Sequence, residues 1–201
     1  MTSENILNAK WEALPGGASY FLKRAVGLFI GWKLLYIFLL LPLEQPDGWL
    51  VRSLGEATAF TLNMSHGADL YKVRHIRVVS PEGRPGGELC AQVYRPGNRS
   101  DIGIFAPCNG LELMVLAVGF ILCFEGGRLR KTAYVLAAVI GIFLVNVIRC
   151  SLLAVIKSDH PAWFEFTHKY LFNLSGYAFV FLIWMEFVKG QIGAADRKAE
   201  A

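Results

Sequence analysis

Apolar residues are concentrated in four long blocks, at 25–43, 104–124, 132–156 and 170–188, with shorter polar segments between them. A helix needs about 20 mostly apolar residues to cross the hydrocarbon core of a bilayer. The pattern therefore predicts an all-α integral membrane helical bundle of about four transmembrane helices, the first of them at 25–43.

The segment 44–103 is the only substantial polar region, and it contains two weaker patterns. Apolar residues recur at helical spacing between Trp49 and Met64, which predicts an amphipathic helix lying on the bilayer surface. Two β-leaning runs, 70–79 and 89–94, flank the turn sequence PEGRPGG and predict a hairpin. We expect a small extracytoplasmic α/β insert here.

Composition agrees with a membrane protein, since 54% of the residues are hydrophobic and the mean hydropathy is +0.41. The distribution of the basic residues says more than the net charge of +4. With four spans, the basic groups of the short polar segments all fall on one face, which the positive-inside rule makes cytoplasmic. These groups are Lys23 and Arg24, then Arg128, Arg130 and Lys131, and finally Lys189, Arg197 and Lys198.

This orientation predicts a multi-pass protein of the cytoplasmic membrane with both termini in the cytoplasm. Segment 1–24 becomes a cytoplasmic or interfacial stretch, 104–190 a membrane core and 191–201 a cytoplasmic tail. The basic groups are too small for a nucleic-acid footprint, so we expect no nucleic-acid partner.

The second block opens on Pro107, Cys108, Asn109 and Gly110. Proline is favoured in the first turn of a helix, so the pattern places Cys108 in that turn, at the positive end of the helix dipole. A thiol there ionises readily, and the thiolate is the nucleophilic form. The chain has no C-x-x-C pair, and we expect neither a metal nor another cofactor.

Arg149 lies inside the third block, where an arginine costs roughly +2.5 to +3.5 kcal/mol even on the lenient insertion scale. It follows the start of that block by about 25 Å of helix, which places it in the outer leaflet. Asn146 shares its helix face. His168 directly precedes the fourth block, so it also reaches the outer interface. A thiol, a guanidinium and an imidazole at one depth suit acyl transfer, with Cys108 as nucleophile, His168 as acid–base group and Arg149 as oxyanion stabiliser.

Glu112 lies one helical turn after Cys108, where it could orient Arg149 or His168 or bind the basic end of a substrate. Lys33, near the middle of the first block, either serves function or faces a polar seam of the bundle. Two other interpretations stay open. The chain could be a non-catalytic membrane assembly subunit that keeps Arg149 for structure or to pair with Glu112. It could also be a small transporter that uses these charges as a relay.

The segments APCNGLE and NVIR and the region of His168 resemble the signature segments of the exosortase/archaeosortase family, over roughly residues 100–190. The family consists of membrane-integral, sortase-like cysteine transpeptidases, and many members have more spans than the four predicted here. The resemblance implies Cys108 as the nucleophile, Arg149 as the arginine and His168 as the third residue of the site. Asn109, Gly110, Asn146 and Glu112 are then supporting residues.

The resemblance also implies the substrate and the place of reaction. The substrate would be a secreted protein whose C-terminal sorting signal combines a short motif, a transmembrane helix and a basic end. Cleavage would occur at the outer face of the cytoplasmic membrane, with membrane lipid as the surrounding partner.

Overall fold

The computed structural model describes residues 17–40, 43, 46–67, 69–79, 87–97, 102–124 and 127–199. Most of the predicted N-terminal segment 1–24 and the turn of the predicted hairpin at 80–86 lie outside these residues. The last helix continues through much of the segment predicted as a cytoplasmic tail.

Four of the described helices form a bundle. They are α1 (Gly17–Leu35, continued by a π-helical turn Tyr36–Leu40), α3 (Leu111–Cys123), α4 (Arg128–Asp159) and α6 (Phe172–Ala199). A short helix α5 (Pro161–Phe166) and a π-helical turn (Thr167–Leu171) lead into α6. Helix α3 contacts α1, α4 and α6, and α4 also contacts α6. Apolar side chains hold this bundle together, with Ala117, Ile121 and Phe187 fully buried in its core.

Within the described residues, two helical segments are long and apolar enough to cross a membrane, namely Arg128–Asp159 and Pro161–Lys189. Helix α3 is apolar, but its 13 residues make it only about 20 Å long. It is short because the first residues of the predicted span 104–124 form the end of a strand, a turn and a loop instead of helix.

A three-stranded antiparallel sheet, in the order β1-β2-β3, lies beside helix α2 (Asp47–His66). Strands β1 (Lys72–Val78) and β2 (Glu88–Tyr94) fall in the two runs interpreted as a hairpin, with Lys72 opposite Tyr94. Strand β3 (Ile102–Ile104) was not predicted. It is too short to show alternation, although Ile102 and Ile104 are buried and Gly103 is exposed.

Helix α2 packs on this sheet and on α4. That it also lies on the bilayer surface stays a prediction. Its buried face contains Val51, Leu54 and Leu62, whereas Phe60 and Met64 are 66% and 75% exposed. Gly55 permits the close approach to β2, because a Cβ at this position would lie 2.7 Å from the Cβ of Ala91. Helical spacing correctly predicted a helix over these residues.

Candidate functional site

Cys108 ends a 3-10 turn (Ala106–Cys108) that joins β3 to α3. Its backbone N–H donates to the Phe105 carbonyl at 2.9 Å. Helix α3 begins only at Leu111, after Gly110, whose φ of +78° lies in the left-handed region. The prediction that Cys108 occupies the first turn of a helix is therefore wrong, because the left-handed glycine separates the turn from the helix.

All four cysteines fall in the described part of the chain, and their exposure separates one from the other three. Cys90, Cys123 and Cys150 are buried with free thiols, whereas Cys108 is half-buried. Burial raises the pKa of the Cys90 thiol on strand β2, which keeps that group neutral and poorly reactive. Cys108 is thus the thiol most open to a substrate. It packs at the edge of a second core cluster, which α2, the sheet and α4 form together and which contains Cys150.

Asn109, next to Cys108, is 1% exposed and hydrogen-bonded on both sides. Its Nδ2 donates to Asp47 Oδ1 at 2.6 Å, and its Oδ1 accepts from the Leu111 backbone N–H at 2.8 Å. The other oxygen of Asp47 accepts from the Tyr36 hydroxyl at 2.7 Å. Sequence reasoning missed Asp47 and Tyr36. The one available signal was a carboxylate two residues before the predicted amphipathic helix, which usually indicates no more than a favourable dipole interaction.

Gly110 fits against α4 at Asn146. A Cβ on Gly110 would overlap the Asn146 amide nitrogen, so only glycine allows this contact. Asn146 is 3% exposed, and its Nδ2 donates to the Ile142 carbonyl at 3.0 Å. The turn that carries Cys108 is therefore seated on α4 one helical turn before Arg149.

Arg149 is half-buried, and its Nε is buried without a hydrogen-bond partner among the described residues. Arg149 forms no ion pair with Glu112, the partner considered in one interpretation of the sequence. Glu112 Oε1 instead lies 3.0 Å from Lys33 Nζ, in an exposed ion pair that joins α1 to α3. Lys33 therefore lies in a polar contact between helices, the simpler of its two interpretations.

His168 lies in the π-helical turn before α6, a type of irregularity found frequently at functional sites. Its ring stacks on Phe164, with ring centroids 5.7 Å apart and planes within 3° of parallel. Phe164 packs against the same core cluster as Cys108. Arg149 is close enough to His168 to interact with it electrostatically. Between Cys108 and His168 the described residues show no hydrogen bond, and such bonds often tighten only when substrate binds.

A cavity of about 350 Å³ opens between the helices beside the turn that carries Cys108. The predicted residues that line it are Asn109, Gly110, Glu112, Asn146 and Arg149. Trp32, Tyr36, Asp47, Tyr177 and Phe179 contribute other parts of the wall. Cys108 lies at the edge, between the lining residues Pro107 and Asn109. His168 does not line the cavity, but it interacts electrostatically with Arg149, which does.

The site offers a half-buried thiol, a guanidinium whose Nε has no partner among the described residues, and an imidazole near that guanidinium. Among the described residues no group of three or more His, Cys, Asp or Glu could hold a metal ion. This set of groups is suited to attack on a carbonyl with stabilisation of the developing oxyanion.

The fold and the site together define an apolar helical bundle of the membrane-protein class, with a polar cavity beside a half-buried cysteine. A family model described as transmembrane exosortase matches residues 13–188, which is most of the chain. The chain belongs to the transmembrane exosortase family. The match begins far before residue 100, so it extends the resemblance of the short motifs to α1, α2 and the sheet. Comparisons with curated proteins and with solved structures find no match.

Proposed function

We propose that this chain is a membrane-embedded cysteine peptidase or transpeptidase that cleaves the C-terminal sorting signal of secreted proteins. The observation that carries the proposal is the placement of Arg149. Its buried Nε lacks a partner among the described residues, and Arg149 lines a cavity beside the turn that holds the most open thiol. Leaving a buried donor unpaired is costly, and a substrate oxygen would satisfy it.

In the proposed reaction, the Cys108 thiolate attacks the carbonyl carbon of the scissile peptide bond. A C–S bond forms, and the carbonyl π electrons move to the oxygen, where Arg149 stabilises the negative charge. His168 accepts the thiol proton and returns it to the departing amine, which leaves with the C-terminal tail. Water or an acceptor amine then attacks the thioester and restores the free thiol.

The orientation that we propose places the Cys108 end of the bundle on the extracytoplasmic side. At the opposite end, which we call the basic end, Cys123 lies near enough to Arg24 and Lys131 to interact electrostatically. Arg130 also reaches this end, where its Nη2 donates to the Phe187 carbonyl at 3.3 Å. The positive-inside rule favours a cytoplasmic location for such a cluster. Both termini would then be cytoplasmic, in the inner membrane.

This orientation also suits a substrate tail in which an apolar helix is followed by basic residues. The helix of such a tail would lie against the outer faces of α4 and α6, where Ile140, Leu144 and Phe181 are exposed. The basic residues of the tail would remain at the cytoplasmic face, and its scissile bond would lie level with Cys108.

The test is processing of a secreted reporter that carries such a tail, expressed with wild-type chain, Cys108→Ala or Cys123→Ala. Removing the nucleophile should leave the tail intact, whereas Cys123→Ala should process it at nearly the wild-type rate. Immunoblots of the membrane fraction check that the three proteins accumulate equally. Mass spectrometry of the released fragments shows whether water or an amine accepted the acyl group.

Unchanged processing by Cys108→Ala would refute the assignment of the nucleophile. The assembly-subunit and transporter interpretations, which need no reactive thiol, would then become the better ones.

A further inference from the structure

We propose that Asp47 is a positioning residue for the reaction, which acts through Asn109 to hold the turn that carries Cys108. The inference rests on the proposed function, because it assigns to Asp47 the task of supporting that nucleophile. Asp47 itself lies in α2, 61 residues before Cys108 in the chain and outside the segments that resemble the family motifs.

The first argument is the cost of burying this carboxylate. Asp47 is 8% exposed, and it forms no ion pair with any residue in the described part of the chain. A buried carboxylate is destabilising unless hydrogen bonds and favourable dipoles replace its hydration. Here the replacements are the Tyr36 hydroxyl, the Asn109 amide and the first turn of α2, where backbone N–H groups favour negative charge.

The second argument is that the bonds of Asn109 define its orientation. Its oxygen is needed by the Leu111 N–H and its nitrogen by Asp47, so rotating the amide by 180° would break both bonds. Asp47 thereby specifies one orientation of Asn109. Because Asn109 is the chain neighbour of Cys108, the same contacts restrict where the thiol can lie.

The third argument is that the contact joins separate parts of the protein at the cavity wall. Tyr36 follows α1, Asp47 begins α2, and Asn109 leads into α3, and all three line the cavity with Arg149. The network therefore fixes the nucleophile relative to the wall that carries the proposed oxyanion donor. Reaction rates are sensitive to such placement, even to displacements of about 1 Å.

The first variant to test is Asp47→Leu, which removes the acceptor of both Tyr36 and Asn109 at similar volume. We expect processing of the tail to slow by about tenfold or more at equal membrane abundance. Glu56→Leu, an exposed position on the same helix, is the matched control and should process at the wild-type rate.

The second test exchanges the two side chains. Asn109→Asp alone places two carboxylates in contact and should also slow processing by about tenfold or more. Adding Asp47→Asn restores complementarity, since the carboxylate introduced at position 109 can accept both from the Leu111 N–H and from the amide introduced at position 47. The double variant should recover most of the rate lost in Asn109→Asp. A residue that merely stabilises α2 would show no such rescue.

A second readout keeps this inference separate from the proposed function. The rate of Cys108 alkylation by iodoacetamide needs no substrate, and the other three thiols are buried. We expect Asn109→Asp to change this rate. The double variant with Asp47→Asn, which we call the exchange variant, should return it towards wild type. If Cys108→Ala still processes the tail, the proposed function fails, and the alkylation rates then show only whether the contact between Asp47 and Asn109 positions the turn that carries Cys108.

Two results would overturn the inference. One is wild-type processing by an Asp47→Leu protein of normal abundance. The other is an exchange variant no faster than Asn109→Asp, which decides the matter even if Asp47→Leu fails to accumulate.

Discussion

A cysteine lies at each end of helix α3, with Cys108 in the turn before the helix and Cys123 as its last residue. The two cysteines differ in their exposure and in the residues that surround them. At the basic end, Cys123 is 5% exposed and Phe187 packs edge-on against both Tyr134 and Phe124, with ring centroids 5.2 and 5.7 Å apart. The Arg130 guanidinium lies over the Tyr134 and Phe187 rings and forms cation–π contacts with both. In the described residues, this end consists of packed aromatic rings that stabilise the bundle.

At the other end, the chain enters α3 through a turn held by polar contacts beside a cavity. Asn109 and Asn146 are buried there, the backbone is left-handed at Gly110, and a guanidinium nitrogen has no partner among the described residues. Buried polar groups that are hydrogen-bonded specify one arrangement more strictly than apolar contacts do. From this comparison we expect the reactivity of each cysteine to depend on the groups around it.

The largest effect that separates the two ends should come from their arginines. Arg149→Lys keeps the charge but loses the planar set of N–H donors, and we expect processing to slow by about 100-fold, as for loss of an oxyanion donor. Arg130→Lys preserves the charge of the basic end and should process within about twofold of wild type. Rates of tail cleavage at matched abundance are the measurement. Nearly equal rates for the two variants would remove Arg149 from the proposed mechanism.

An intermediate effect, on thermal stability, should come from substitutions of Gly110, just before α3, and Gly119, within it. Gly110→Ala puts a Cβ into Asn146 at a φ that L residues rarely adopt, so we expect a loss of about 2 kcal/mol and a fall in Tm of about 4 to 8 °C. A Cβ added at Gly119 would meet no atom within 4 Å, so Gly119→Ala should be neutral or mildly stabilising. Thermal unfolding of the purified proteins in one detergent gives the comparison. Equal Tm values for both variants would mean that the turn is not seated on Asn146.

The smallest effect should come from Glu112, whose side chain is 83% exposed and paired with Lys33. Exposed ion pairs contribute little, so Glu112→Gln and Lys33→Gln should each change the rate of processing by less than about threefold. The two variants serve as controls for each other, since both break the same pair. A much slower Glu112→Gln protein would show that this carboxylate acts on Arg149, His168 or the substrate as well.

Local sequence patterns predicted the mostly helical fold and the positions of β1 and β2, because long apolar blocks and β-leaning runs are signals within one segment. The start of α3 was wrong for the same reason. Pro107 is a strong local helix-start signal, whereas the left-handed φ of Gly110 depends on its contact with Asn146 in another helix. Strand β3 is stabilised by pairing with β2, and its three residues carry too little pattern of their own.

The candidate site divides in the same way. Cys108, Arg149 and His168 were proposed as site residues because a reactive or charged residue in or directly beside an apolar block is conspicuous by itself. Asp47 and Tyr36 were missed because their roles depend on pairing, and Asp47 lies 62 residues from Asn109 in sequence. No local pattern links positions so far apart, although the family match from residue 13 covers both of them.

The short length of α3 has a consequence for the lipid if this helix lies in the bilayer, as the proposed orientation requires. A helix of about 20 Å covers only part of a hydrocarbon core of about 30 Å, which would create a hydrophobic mismatch. The bilayer would then thin beside α3, or the turn with Cys108 would lie below the headgroups. The two responses would place the thiol at different distances from water, so bilayer thickness would influence how fast the thioester of the proposed reaction is resolved.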